Sequence, residues 1–307
     1  MAEAMFPPQP GQPLRIDTDL TVVLAPNPSP MTGPGTNTYL LGGDALAIID
    51  PGPVNDRHLA ALIDAIAGRT VSHIFVTHSH ADHSGLAPAL SHATKSPVLA
   101  FGTSDAGRSA VMRDLAANGL AGGGEGIDSA FRPDCNLPDG ALTDTGAGAV
   151  TALHTPGHMG NHLCFQWGDR MFTGDLIMGW ASSLVSPPDG DLSDYMTSLE
   201  RVKRRAARVL LSGHGVAITD SNTRINWLVA HRRSRETQIR EALQKPATID
   251  AVTAAVYTDV SRALWPAAKR NVLAHLVDLW KRGLIVASPC LSAKAVFQTA
   301  PTASEGS

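Results

Sequence analysis

Four side chains able to bind a metal fall within six positions of this 307-residue chain: His78, His80, Asp82 and His83, in the run Thr-His-Ser-His-Ala-Asp-His-Ser-Gly at 77–85. A hydrophobic core has no use for such a cluster, because each buried polar group must be matched by a partner. Imidazole and carboxylate together suit a borderline-soft divalent ion such as zinc. The preceding run, Val71-Ser-His-Ile-Phe-Val-Thr77, is rich in β-branched and aromatic residues and reads as a buried strand. The cluster therefore sits where a strand gives way to a loop, the usual place for functional side chains on a sheet-based scaffold.

One tight turn cannot close a site, since its neighbouring residues face different ways. His78 and His80, two apart, are suited to share one ion, which leaves Asp82 and His83 to face a second position. Three further donors end apolar stretches downstream. His158 lies in His154-Thr-Pro-Gly-His158, Asp175 in Thr173-Gly-Asp175, and His214 in Ser212-Gly-His214-Gly215. Each has glycine beside it, which allows a sharp turn and close approach to an ion.

Taken in order, His-x-His-x-Asp-His, Thr-Pro-Gly-His, Thr-Gly-Asp and Gly-His resemble the signature series of the metallo-β-lactamase superfamily. The upstream segment from Asn37-Thr-Tyr-Leu-Leu to Leu46-Ala-Ile-Ile-Asp50-Pro-Gly is similar to its remaining motif. The resemblance implies that His78, His80 and His158 bind a first metal and that Asp82, His83 and His214 bind a second. Asp175 would bridge the two, and Asp50 would orient ligands from behind. It further implies two divalent ions, zinc being the expectation, about 3.5–4 Å apart, holding a hydroxide that attacks an ester-type bond. Asp82 is then expected to move the proton as well as bind metal. His162, four residues past His158, is expected to hydrogen-bond the substrate oxygen or protonate the leaving group. Tyr39 and Asn37 are candidates for lining the cleft. No Gly-x-Ser-x-Gly elbow offers a serine nucleophile instead.

Residues 30–40, Asp194-Tyr-Met196 with Ser198-Leu199, and His231-Arg232 with Arg235-Glu236 and Gln238-Ile239 narrow the likeness to the branch of β-lactamase-like protein 2. That branch joins a lactamase-type domain to a small winged-helix-like domain. The implied fold is an α/β αββα sandwich followed by a small C-terminal winged-helix-like α domain. The implied substrate is a single-stranded RNA phosphodiester; the alternative is a thioester or lactone of a small acyl compound, as in hydroxyacylglutathione hydrolases. A more distant alternative is a DNA-binding regulator that uses the lactamase fold as a sensor.

The net charge of −3 argues against a general nucleic-acid binder, but its distribution is uneven. Residues 201–240 hold ten Arg or Lys against two acids, Asp220 and Glu236. Within that stretch Arg232, Arg233 and Arg235 are candidates for holding a phosphate backbone or an anionic carrier; the bland reading is a pair of solvated helix faces. Hydrophobic residues at 43% and charged ones at 17% fit an ordinary globular protein. Cys135, Cys164 and Cys290 are odd in number and scattered, so a reducing compartment and structural roles are expected. The first fifteen residues carry four prolines and no long apolar run, and no stretch approaches the ~20 apolar residues of a membrane span. A cytoplasmic location without membrane contact is the expectation.

The pattern divides the chain into a mobile tail at 1–15, a lactamase-type domain at 16–218, a connecting helix at 219–244, a winged-helix-like domain at 245–298 and a tail at 299–307. Strands are expected at 20–25, 38–41, 46–50, 71–77, 98–101, 150–154, 162–167, 170–173 and 208–212, with helices at 56–67, 85–92 and 192–207. The glycine-rich stretch 102–148 is either a loop covering the metal site or an irregular connection. Beyond His214, helices are expected to 244 and over 249–257 and 269–282, followed by a hairpin of 284–287 and 293–298. The last of those helices carries few basic residues (Lys269, Arg270, Lys281 and Arg282), which favours packing or a homodimer contact over base reading.

Overall fold

The computed structural model describes residues 8–122, 126–258 and 260–301. Its first sheet runs in the order β1 (Leu14–Asp17), β2 (Leu20–Leu24), β3 (Asn37–Leu41), β4 (Ala45–Ile49), β5 (Thr70–Phe75), β6 (Val98–Ala100) and β7 (Cys135–Asn136). Pairing is antiparallel from β1 to β4 and parallel from β4 to β7, the change coming where α1 (Asp56–Ile66) crosses over from β4 to β5. The second sheet comprises β8 (Leu142–Thr145), β9 (Gly148–His154), β10 (Leu163–Trp167), β11 (Arg170–Gly174) and β12 (Val209–Ser212), ordered in space from β12 back to β8.

Alternation along the strands dictates how the sheets stack. Val22, Tyr39, Leu41, Ala47, Ile49 and Phe75 of the first sheet meet Val150, Ala152, Phe165, Phe172, Val209 and Leu211 of the second in one buried layer. The opposite face of the first sheet, with Leu40, Ile48 and Ile74, packs on Leu62 and Ile66 of α1 and on Leu90 of α3 (Ala87–Thr94). The outer face of the second sheet, with Leu153, Cys164, Met171 and Leu210, packs on α5 (Leu192–Arg204) and α6 (Ser221–Ala242) through Tyr195, Leu199, Val202, Ile225 and Leu228. This is the expected αββα sandwich.

A separate core forms the C-terminal domain. It contains β13 (Ala247–Thr248), α7 (Ile249–Val256), α8 (Trp265–Lys281), β14 (Ile285–Ser288) and β15 (Val296–Thr299), with the three strands paired β13-β15-β14. Val252, Val256, Val272, Leu276, Leu279, Ile285 and Phe297 close that core together with Ile239 of α6. Helices followed by a hairpin make a winged-helix domain.

Four expectations need correction. The helix placed at 85–92 is α3, running from Ala87 to Thr94 with Pro88 in its first turn, and the ligand turn before it coils into an unexpected short helix, α2 (Ala81–Ser84). Over its described residues, stretch 102–148 is not wholly irregular, and it meets the ligand turn: the Ala81 amide donates to the Gly126 carbonyl at 2.8 Å and the Asp128 amide to the Ser79 carbonyl at 2.8 Å. It carries α4 (Ala110–Ala117), whose Met112 and Leu115 join the winged-helix core, and Leu137 joins the core between the sheets. The tail expected at 1–15 is tied down over its described part, since Gly11 donates to the Leu24 carbonyl and Leu14 opens β1; residues 1–7 lie outside the described residues. Thr299, expected to open the C-terminal tail, is the last residue of β15, and residues 302–307 lie outside the described residues. No helix among the described residues is long and apolar enough to cross a membrane.

Candidate metal centre

Every candidate ligand leaves the sandwich at one end. Asp50 follows β4, His78–His83 follow β5, His158 follows β9, Asp175 follows β11 and His214 follows β12. Parallel pairing of β4 with β5 and of β11 with β12 sends these carboxyl ends the same way. Seven donors consequently gather into two groups, His78–His80–His158–Asp175 and Asp82–His83–His214.

In the first group His80 Nδ1 lies 2.9 Å from His78 Nε2 and 3.0 Å from His158 Nε2, and Asp175 Oδ2 lies 3.8 Å from His158 Nε2. In the second, His83 Nε2 and His214 Nε2 are 3.3 Å apart, Asp82 Oδ2 is 3.5 and 3.3 Å from them, and Asp175 Oδ1 is likewise 3.5 and 3.3 Å away. Asp175 thus turns one oxygen to each group. Two donors bound tetrahedrally at about 2.0–2.1 Å stand about 3.3 Å apart. The observed spacings match that value closely in the second group and are slightly tighter between the rings of the first. The residues fit a pair of divalent ions.

Hydrogen bonds on the far side of the rings decide which nitrogen faces inward. His158 Nδ1 donates to the Leu184 carbonyl at 2.7 Å, and His214 Nδ1 donates to the Gly35 carbonyl at 3.1 Å. His83 Nδ1 faces Asp50 Oδ2 at 2.9 Å. The Thr77 hydroxyl donates to Asp50 at 2.8 Å, so toward His78 Nδ1, at 3.0 Å, it accepts. All four rings therefore turn Nε2 to the centre, the orientation a cation requires. Room is made by Gly213, where a Cβ would stand 2.5 Å from His83 Cε1 and 2.7 Å from Asp175 Oδ1.

Charge in the two groups differs. Burial, reinforced by neighbouring imidazoles, holds His78 well below the ordinary histidine range and brings His80 to about 3. Burial also opposes charge on His83, but Asp82, Asp175 and Asp50 outweigh it and hold that ring well above the ordinary range. At His214 burial is likewise outweighed, chiefly by Asp175, and the pKa stands at about 9. Burial would raise Asp175, yet His214 and His83 hold it well below the carboxylate range.

Other expected site residues stand elsewhere. His162 is fully buried, its ring 5.2 Å from that of His78. The Thr155 hydroxyl stands 3.0 Å from His162 Nδ1 and 3.3 Å from Cys164 Sγ, which fixes the ring within the fold. It is a packing residue behind His78 rather than an acid at the cleft. Tyr39 is buried between the sheets, donates to the Ser212 carbonyl at 2.8 Å and packs edge-on against Phe172. Asn37 donates to the carbonyls of Ser212 and Gly215 and braces the strand before His214. Neither lines a cleft.

The arginines expected to hold substrate are largely committed within the fold. Arg232 is 2% exposed, donates to the Ser183 carbonyl and to Asn271 Oδ1, and lies over the Tyr195 ring. Arg235 donates to the Val256 carbonyl and covers Tyr257. Of the three, Arg233 alone is exposed. The basic residues of α8 and its C-terminal cap are also engaged: Lys269 with Asp250, Arg270 with Ser186 and Pro187, Lys281 with Asp191, and the capping Arg282 with Glu236 and Asp278.

Sequence reasoning missed Thr36, whose hydroxyl stands 3.2 Å from Asp82 Oδ2. It also missed the Leu184 and Gly35 carbonyls, for which no side-chain signal exists. Trp180 was missed as well. Its indole lies against Gly215, where a Cβ would come within 2.9 Å of it, one residue from His214.

A two-sheet sandwich with paired His/Asp clusters at the carboxyl ends of its strands defines a metal-dependent hydrolase. Residues 31–214 match the metallo-beta-lactamase superfamily and residues 248–293 the beta-lactamase associated winged helix domain, and the chain belongs to that superfamily. It is 31% identical over 285 residues to a beta-lactamase-like protein 2 homolog of Drosophila melanogaster, covering 88% of this chain and 90% of the relative. It is 30% identical over 256 residues to an atrochrysone carboxyl ACP thioesterase of Aspergillus fumigatus, covering 79% and 72%. Among solved structures, a beta-lactamase domain protein from Burkholderia ambifaria superposes with a TM-score of 0.78 at 22% identity, over 97% of this chain and 96% of that one.

Proposed function

We propose that this hydrolase cleaves acyl esters of the thioester class, with His78, His80, His158 and Asp175 holding one divalent ion and Asp82, His83, His214 and Asp175 the other. Zinc suits the histidine and carboxylate donors best. When bound, the two ions would supply water activated near neutral pH and a Lewis acid for the carbonyl oxygen.

The chain's own residues supply the rest. Asp82 has the most exposed side chain among the carboxylates of the centre, at 25%. Its contacts to His83, His214 and Thr36 run through Oδ2. Oδ1 can therefore take the proton of attacking water and pass it to the departing thiolate. Asp50 keeps His83 turned toward the centre, and Leu184 does the same for His158.

One observation carries the choice of substrate: the surface beside His214 is apolar. Trp180, Val216 and Met31, at 47%, 44% and 45% exposure, are large hydrophobic side chains open to solvent. Trp180 packs on Gly215 and on Gly33, and Met31 tops the turn that Ser29 and Gly33 close. Such a shelf suits an acyl or aromatic group. A phosphate backbone would need free cations there, and Arg232 and Arg235 are bonded within the fold. The thioesterase relative supports the same reading.

The test pairs an acyl-thioester assay with end-labelled single-stranded RNA, using metal-loaded protein, a chelated control and an Asp175→Ala variant. Thioester hydrolysis that both controls abolish, beside intact RNA, is the expected result. Metal-dependent RNA fragments beside an intact thioester would overturn it.

A further inference from the structure

Residues 183–185 belong to no strand or helix, yet all three are buried. Their middle member, Leu184, supplies the carbonyl that receives the His158 Nδ1 proton. A segment without a ladder of its own keeps its place only if neighbours hold it. Here the main holders come from α6 and, beyond the sandwich, from α8. The Val185 amide donates to Asn271 Oδ1 of α8 at 3.1 Å. Arg232 of α6 donates Nη1 to that same oxygen at 3.1 Å and Nη2 to the Ser183 carbonyl. On either side, Ser183 Oγ donates to the Leu176 carbonyl at 2.8 Å and Arg270 Nε donates to Ser186 Oγ at 2.8 Å.

We infer that Asn271, braced by Arg232, is a positioning residue for the metal centre: it fixes the Leu184 carbonyl, which sets the tautomer and direction of His158. The winged-helix domain thereby completes the site formed by His78, His80 and His158. The Asp82–His83–His214 group has its own supports, Asp50 and the Gly35 carbonyl, and does not depend on α8. The inference rests on the metal assignment of these histidines and is independent of the substrate.

The experiment titrates cobalt(II) into chelator-stripped wild type, Asn271→Leu and Asn271→Asp against a chromophoric competitor, reading the two binding steps and the cobalt absorption bands. Leucine keeps the shape of asparagine and removes the acceptor; aspartate keeps the acceptor. One step should weaken about tenfold in Asn271→Leu, the low end of what loss of a ligand's supporting bond costs. The other step should stay as in wild type, and Asn271→Asp should restore the first. Two unchanged steps in Asn271→Leu would overturn the inference, as would equal weakening of both without rescue by aspartate. If the leucine variant does not fold, Asn271→Ser, too short to reach the Val185 amide, is read by the same criteria. Wild type that takes up no cobalt would overturn the metal assignment itself, a result distinct from wild-type uptake matched by the variant.

Discussion

Asp50 Oδ2 stands 2.9 Å from Nδ1 of His83, thirty-three positions further along the chain. The same carboxylate also accepts from the Thr77 amide at 2.7 Å and the Thr77 hydroxyl at 2.8 Å. It thus ties the end of β4 to both ends of the ligand turn, and through Thr77 it fixes His78 as well. Asp50 has a positive φ of 53°, a conformation that asparagine also tolerates. Asp50→Asn should therefore keep the fold while the lost charge weakens metal binding by about 10–100-fold. Competition with a chromophoric chelator measures that loss, and an affinity equal to wild type would remove Asp50 from the account.

Trp180 separates substrate binding from chemistry, because it packs on Gly33 and Gly215 and forms the shelf beside His214. Trp180→Ala should raise KM for a long-chain acyl thioester about tenfold, corresponding to ~1.4 kcal/mol of apolar contact, and leave kcat nearly unchanged. Steady-state kinetics over a series of acyl lengths checks this. A uniform effect on short and long chains would contradict the shelf.

Arg232 and Arg233 are adjacent in sequence and opposite in environment. Arg232→Ala removes the donor to the Ser183 carbonyl and one donor to Asn271, and should cost about 2–4 kcal/mol of stability. Arg233→Glu alters an exposed position and should change stability by no more than about 0.5 kcal/mol. Denaturant melts of the two variants give the comparison, and a similar loss in both would show that the inward turn of Arg232 carries no weight.

Asp194 lies in the first turn of α5, where a carboxylate is ordinarily favoured. Burial, with the charge of Asp191 added, instead raises its pKa from 3.8 to about 6. The folded chain holds a proton that the unfolded chain has released between those values, so the penalty grows as pH rises through 6 and vanishes toward 4. Asp194→Asn should stabilise the protein near pH 8 by about 1 kcal/mol, after allowance for solvent screening of a partly exposed group. The gain should shrink toward pH 4. Thermal melts across that range decide it; a gain independent of pH would point to helix propensity instead.

The sandwich strands were legible because each is a short apolar run bounded by turn residues, and the ligand series was legible because metal chemistry restricts its residue types. Three features were not, for physical reasons. α4 lies in a glycine-rich stretch, and its Met112 and Leu115 find their core in the winged-helix domain, a contact remote in sequence. The arginines of 201–240 look alike in a string of letters, and only packing turns Arg232 inward and Arg233 outward. The bonds that orient His158 and His214 end on backbone carbonyls, which every residue possesses. His162 misled because spacing after His158 says nothing about which way the side chain just before β10 points.

The most direct measurement is the metal content of purified wild type beside Asp175→Ala, by elemental analysis after dialysis. Because Asp175 turns an oxygen to each group, the account predicts two divalent ions in wild type and loss of at least one in the variant. Wild type without bound metal, or a variant that keeps both ions, would contradict it.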